Sequence, residues 1–159
     1  MAGERLLVVD DEESIRDIFA DYFGSIGYEV ETATSGKDGL EKFVPDRFDC
    51  VICDLVMPEM DGLEFLRRLW ERDSKTPFFM MTGYPSVETA VEAINQGAYD
   101  YITKPLNFED VRIKLERALR SRDVERSLKK VTGVLWGLIV SIPIWLILGI
   151  VLGIVWKKL

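Results

Sequence analysis

Leu6-Leu7-Val8-Val9-Asp10-Asp11-Glu12 is the stretch on which the reading of this chain turns: four apolar residues that stop at three acids. So short a run, rich in Val and Leu and bounded by polar residues, reads as a strand buried on both faces. Working outward, the same figure returns in Asp49-Cys50-Val51-Ile52-Cys53-Asp54 and again in Pro77–Met81, which runs into Thr82. Tyr28–Ala33 and the weaker Tyr99–Ile102 complete a set of five.

Amphipathic stretches lie between the strands. Ser14–Phe23 carries Ile15, Ile18, Phe19, Tyr22 and Phe23 at helical spacing. Thr34 or Ser35 caps a second helix whose inner positions include Leu40 and Phe43. Gly62–Trp70 is a third and Val87–Asn95 a fourth, closed by Gly97. The last starts after Asn107 and is expected to extend to about Lys130, with Leu115, Ala118 and Leu119 inward and Arg120, Arg122 and Arg126 outward. Five strand–helix alternations predict an α/β fold, a doubly wound parallel sheet with helices on both faces. Right-handed crossovers leave few arrangements, of which the flavodoxin-like order 2-1-3-4-5, with its switch point between strands one and three, is the common one.

That order gives the polar residues their meaning. Asp10 and Asp11 end strand one and Asp54 ends strand three, so a strand spacing of ~5 Å gathers three carboxylates into one crevice. Thr82 ends strand four and Lys104 follows strand five on the same edge. Clustered carboxylates repel unless cations compensate; Lys104 and one divalent ion balance the three charges. An oxygen-rich, water-accessible set suits Mg2+. Singly, an Asp at a strand end reads as a turn or cap and a Thr there as structural. Four strand ends supplying what phosphoryl transfer needs is a different matter: Asp54 as nucleophile, Lys104 and a metal as clamp, Thr82 as hydroxyl donor. Cys50 and Cys53, three apart on one strand, point to opposite faces and read as inert core thiols rather than a disulfide.

The matching residues are Val8-Val9-Asp10-Asp11-Glu12, Cys53-Asp54 through Asp61-Gly62, Met81-Thr82-Gly83-Tyr84, and Tyr101-Ile102-Thr103-Lys104-Pro105. With them the sequence resembles the response-regulator receiver family over about residues 4–122. The stretch from Val87 to Tyr101 looks most like the receivers of nitrogen-regulation-type activators. The resemblance implies that Asp54 accepts phosphate from a histidine kinase and that Asp11, Asp54 and the carbonyl of Val56 bind Mg2+, with Asp10 helping through water. It implies that Thr82 and Lys104 contact the phosphoryl group, that Tyr101 moves with Thr82 as the switch, and that Lys104–Pro105 is cis. The chain contains no His, so a phosphohistidine donor must be another molecule, a kinase or a histidine phosphotransfer protein. Such a chain is a self-modifying phosphoacceptor rather than an enzyme in the ordinary sense. Its expected output is contact with a further protein; a phosphorelay intermediate or phosphate sink, and a phosphorylation-independent docking module, are the competing roles.

The net charge of −7 is unevenly spread. Residues 1–111 hold 10 Lys and Arg against 24 Asp and Glu, whereas residues 112–130 hold eight basic residues against three acidic. An acidic body argues against nucleic acid as a partner. The opening apolar run is expected not to be a signal peptide, since it is four residues long and ends in acids. Val131–Trp156 runs 26 residues without a charge between Lys129-Lys130 and Lys157-Lys158. About 20 apolar residues suffice to span a bilayer core, so the expected organisation is a receiver over 1–122, a basic juxtamembrane extension over 123–130, a transmembrane helix over 131–156 and a tail over 157–159. The corresponding localisation is the cytoplasmic membrane, with the receiver in the cytoplasm and lipid as a partner. A re-entrant hairpin at Ser141-Ile142-Pro143 is the alternative. The G-x-x-x-G spacings Gly133–Gly137 and Gly149–Gly153 are compatible with a homodimer.

Overall fold

Five parallel strands organise residues 3–122, the part of the chain that the computed structural model describes. β1 (Arg5–Val9), β2 (Glu29–Ala33), β3 (Cys50–Asp54), β4 (Phe78–Thr82) and β5 (Asp100–Thr103) lie in the order β2-β1-β3-β4-β5, as expected. Between them run α1 (Glu13–Ser25), α2 (Gly36–Lys42), α3 (Gly62–Trp70) and α4 (Val87–Asn95), and a fifth helix, α5, covers residues 108–122. The chain divides into two compact units, Met1–Leu119 and Arg120–Leu159; of the second, only residues 120–122 are described.

Every residue of β3 and β4 is buried, which is why these strands read as unbroken apolar runs rather than alternations. Period two then divides their side chains between two cores. Val51, Cys53, Phe78 and Met80 join Leu7, Val9, Leu40, Phe65 and Leu69 on one face. Cys50, Ile52, Phe79 and Met81 join Leu6, Val8, Phe19, Phe23, Val111 and Leu115 on the other. The two cysteines therefore sit in separate cores, both buried and both free.

Local chemistry sets the helix ends. Ser35 caps α2, its Oγ accepting from the Asp38 N–H at 3.2 Å, while Asp38 Oδ2 accepts from the Thr34 N–H at 2.9 Å. Asp61 caps α3 through the Glu64 N–H at 2.7 Å, and Ser86 caps α4 through the Thr89 N–H at 3.1 Å. Gly97 closes α4 with φ +103°, and a Cβ there would come within 2.5 Å of the Trp70 ring, so both backbone and space require glycine.

Several expectations are corrected. β4 and β5 begin one residue later than expected and reach Thr82 and Thr103. Ile18 is 47% exposed, because Phe19 and Phe23, four apart, face the sheet and leave Ile18 on the helix flank. Arg122, expected outward, is 7% exposed. Membrane localisation with lipid as a partner is withdrawn. No helix among the described residues is long and apolar enough to cross a membrane, since α1 to α4 each turn one face to the sheet and another to water. The run 131–156 on which that expectation rested lies outside the described residues, as does 123–130.

Candidate functional site

In a parallel sheet all strands end on one side, and here β3, β4 and β5 end in polar residues while a polar residue directly follows β1. Asp10 follows β1 and extends the ladder by one bond, its N–H donating to the Ala33 carbonyl at 3.1 Å. Asp54 is the last residue of β3 and pairs in register with Met81. Thr82 is the last of β4, opposite Thr103. The next residue of the chain, Lys104, donates its N–H to the Thr82 carbonyl at 2.7 Å and precedes a cis peptide to Pro105, as expected. Gly62 supports Asp54 from below: a Cβ at that position would stand 2.5 Å from the Asp54 carbonyl oxygen, so only glycine lets α3 start this close to β3.

Lys104 Nζ is the centre of the site. It lies 3.0 Å from Asp10 Oδ2, 3.0 Å from Asp54 Oδ1 and 3.3 Å from Glu12 Oε1. Asp10 is fully buried and Asp54 is 5% exposed, whereas Glu12 reaches in from the surface. The second oxygen of each buried carboxylate is held by backbone: Asp10 Oδ1 accepts from the Glu12 N–H at 2.8 Å, Asp54 Oδ2 from the Val56 N–H at 3.0 Å. Arg16 Nη1 donates to the Asp10 carbonyl at 2.7 Å and steadies the turn from outside. The three carboxylates around the ammonium are thus Asp10, Glu12 and Asp54. Asp11 is exposed and belongs to the wall of the cleft.

Burial is the largest influence on both buried acids and pushes them above the ordinary carboxylate range. Lys104 and the backbone N–H groups pull the other way, while the charge of Glu12 raises Asp10 and that of Asp10 raises Asp54. For Lys104, burial works against the charge, yet hydrogen bonds and charge attraction from Asp10 and Asp54 outweigh it and hold the ammonium above its usual value. Lys104 is therefore a fixed cation, and the proton balance of the site lies with the carboxylates.

Over this cluster opens a cleft of about 300 Å³ lined by Asp11, Glu12, Asp54, Val56, Gly83, Tyr84 and Lys104. Asp10 and Thr82, both fully buried, are not among its lining residues. The Thr82 hydroxyl accepts from the Tyr84 N–H at 3.1 Å, and the Tyr101 hydroxyl lies 2.8 Å from Thr89 Oγ1. A second depression of similar volume, at the opposite strand ends, has its charges partly matched, with Arg47 2.6 Å from Glu31; it shows no comparable convergence.

Among the described residues, no three His, Cys, Asp or Glu side chains are placed to hold a metal ion, so the expected three-carboxylate crevice is not a preformed cage. The donors nevertheless fit a hard cation. They are oxygens only: Asp54 Oδ1 is buried against the Lys104 ammonium at 3.0 Å, and Asp11 lines the open cleft beside it. Mg2+ needs no more than one or two carboxylates when water fills its other positions.

Of the residues expected at the site, the structure joins Asp10 and Asp54 to Lys104 and buries Thr82 at the end of β4; Glu12, Arg16 and Thr89 were not among those expected. Glu12 had a visible signal, its place beside Asp10 and Asp11. Arg16 and Thr89 reach the network from helices through side-chain geometry that spacing does not reveal.

The profile of the response regulator receiver domain family matches residues 6–116, and the chain belongs to that family. It is 39% identical over 139 residues to the transcriptional regulatory protein ZraR of Escherichia coli strain K12, covering 87% of this chain and 32% of that protein. It is 36% identical over 128 residues to the regulatory protein AtoC of the same organism, covering 80% and 28%. The chain thus spans less than a third of the length of either relative. Among solved structures, a CheY-like receiver domain protein of Methanospirillum hungatei JF-1 superposes with a TM-score of 0.74 at 34% identity, covering 78% of this chain and 99% of that one. Receiver domains accept phosphate within two-component systems and generally bind Mg2+ where they do so. The exclusion of nucleic acid drawn from the acidic composition is not supported, because ZraR is a transcriptional regulatory protein.

Proposed function

We propose that this chain is a phosphoacceptor switch in which Asp54 takes a phosphoryl group from a histidine kinase or a histidine phosphotransfer protein and passes the signal on by protein contact. One observation carries the reading: the Lys104 ammonium stands 3.0 Å from each of two buried carboxylates, beneath a cleft that exposes Asp54 to an incoming group. An Asp54 oxygen attacks phosphorus, the P–N bond of phosphohistidine breaks, and its electron pair leaves with the imidazole nitrogen. Lys104 neutralises charge on the phosphoryl oxygens, and Thr82 donates its hydroxyl proton to one of them. Asp11, Asp54 and the Val56 carbonyl would hold Mg2+, with Asp10 acting through water; the bound ion supplies further neutralisation of the same oxygens. Asp10 keeps Lys104 charged and in place. The chain modifies itself once per event, and is not an enzyme acting on a separate substrate.

The test uses the full chain with acetyl phosphate, from which acetate is the leaving group, and reads the modified residue by mass spectrometry. Modification at Asp54 that requires Mg2+ and is absent in Asp54→Asn is the expected result. Equal modification in Asp54→Asn, or in EDTA, overturns the assignment.

A further inference from the structure

We propose that Thr89 is a positioning residue of this site, whose hydroxyl holds Tyr101 on the α4–β5 edge and ties it, through the cap of α4 and the loop 83–86, to Thr82. The proposal rests on the reading of Asp54 as phosphoacceptor and of Thr82 as its phosphoryl contact. The connection can be followed bond by bond. Thr82 Oγ1 accepts from the Tyr84 N–H at 3.1 Å. Two residues on, Ser86 Oγ accepts from the Thr89 N–H at 3.1 Å, and Thr89 Oγ1 donates to the Ser86 carbonyl at 3.2 Å. With its proton so directed, the Thr89 hydroxyl has lone pairs left to accept from the Tyr101 hydroxyl, 2.8 Å away.

Placement in the sheet joins the two ends of this path. Met80 pairs in register with Tyr101, and Thr82 lies two residues beyond Met80, so Thr82 and Tyr101 share one face of adjacent strands. Tyr101 is partly buried and packs against the core cluster to which Ala93 of α4 and Ala98 belong. Residues 83–86 between the two ends are all exposed. Their position is therefore set largely by the bonds at Thr82 and at the α4 cap. When Thr82 turns to a group on Asp54, the loop has to follow, and the pair Thr89–Tyr101 resists it by holding the start of α4 to β5. Removing that pair shifts the population towards the arrangement that Thr82 needs.

The experiment measures the rate of acetyl phosphate-driven modification of Asp54 in the full chain and in Thr89→Val, Thr89→Ser, Tyr101→Phe and the double variant Thr89→Val/Tyr101→Phe. In parallel, fluorine NMR of 3-fluorotyrosine-labelled, unphosphorylated chain reads the Tyr101 resonance. Thr89→Val and Tyr101→Phe should each raise the rate by about 2- to 10-fold, the order of one net hydrogen bond. The double variant should be no faster than the faster single one. Thr89→Ser should keep the wild-type rate, and the Tyr101 resonance should move in Thr89→Val but not in Thr89→Ser. Tyr101→Phe leaves the α4 cap intact, which separates loss of the pair from a weakened helix start. An unchanged or slower Thr89→Val, or additive single effects, overturns the proposal. If the wild-type chain is not modified at Asp54 at all, the proposed function fails instead; an unmoved Tyr101 resonance in Thr89→Val then overturns the pair by itself.

Discussion

Asp54 has to be buried enough to be held in one place and ionised enough to attack phosphorus. Its carboxyl is pushed above the ordinary range, chiefly by burial, so ionisation costs the folded state more than the unfolded one. The contribution of such a group is fully present below its unfolded value of about 3.9 and is lost as pH rises through the raised folded value. Asp54→Asn removes the charge while keeping an oxygen to accept the Val56 N–H. In EDTA it should be more stable than the wild type at pH 7, by about 0.5–2 kcal/mol, the usual gain from relieving a functional site. The gain should shrink to nothing as the pH falls below the carboxylate range. Thermal unfolding at several pH values checks this, and a variant less stable than the wild type at pH 7 would contradict it. Asp10, Asp54 and Lys104 were legible in the sequence because a strand end fixes where a short side chain can be. The choice of Glu12 over Asp11 as the third partner of Lys104 was not, since both follow the strand and only the turn decides which one reaches inward.

At the scale of the element, α2 shows how a local signal fixes a helix start. Asp38 closes a reciprocal cap with Thr34 and Ser35 and lies 2.9 Å from Lys42 one turn on. Burial, the largest influence on its carboxyl, raises it, but the bonds from Lys42 and the Thr34 N–H prevail and lower it overall. A group lowered in this way stabilises the fold above its unfolded value, and the contribution is lost as pH falls through the folded value. Asp38→Ala should therefore cost about 1 kcal/mol at pH 7, the order of a lost cap, and nearly nothing near pH 2. A deficit independent of pH in urea titrations would assign the loss to packing instead. Helix periodicity identified α3 and α4 to the residue, because caps and a terminal glycine bound them. It misplaced Ile18, for which the direction of the helix face depends on how α1 sits on the sheet.

For the molecule as a whole, one sheet serves two cores, and each core needs the strands that the other also packs against. Phe65 fills one and Phe19 the other, both at 0% exposure. Phe65→Ala and Phe19→Ala should each cost about 3–5 kcal/mol and shift one common transition of residues 3–122, followed by far-ultraviolet circular dichroism in urea. A biphasic transition would show the two cores to be independent. Strand order, the polar edge and the separation of Cys50 from Cys53 were all determined by the sequence alone. Apolar runs set the strands, period two divides their side chains, and the handedness of crossovers leaves one common order. The tertiary structure decided what depends on relations between elements. It set which carboxylates ring Lys104, how deep Thr82 lies behind the cleft, and that a hydroxyl on α4 meets one on β5. The physical reason is reach: a pattern along the chain records the direction of a side chain, whereas its partner is chosen by the distance between backbones that only packing sets.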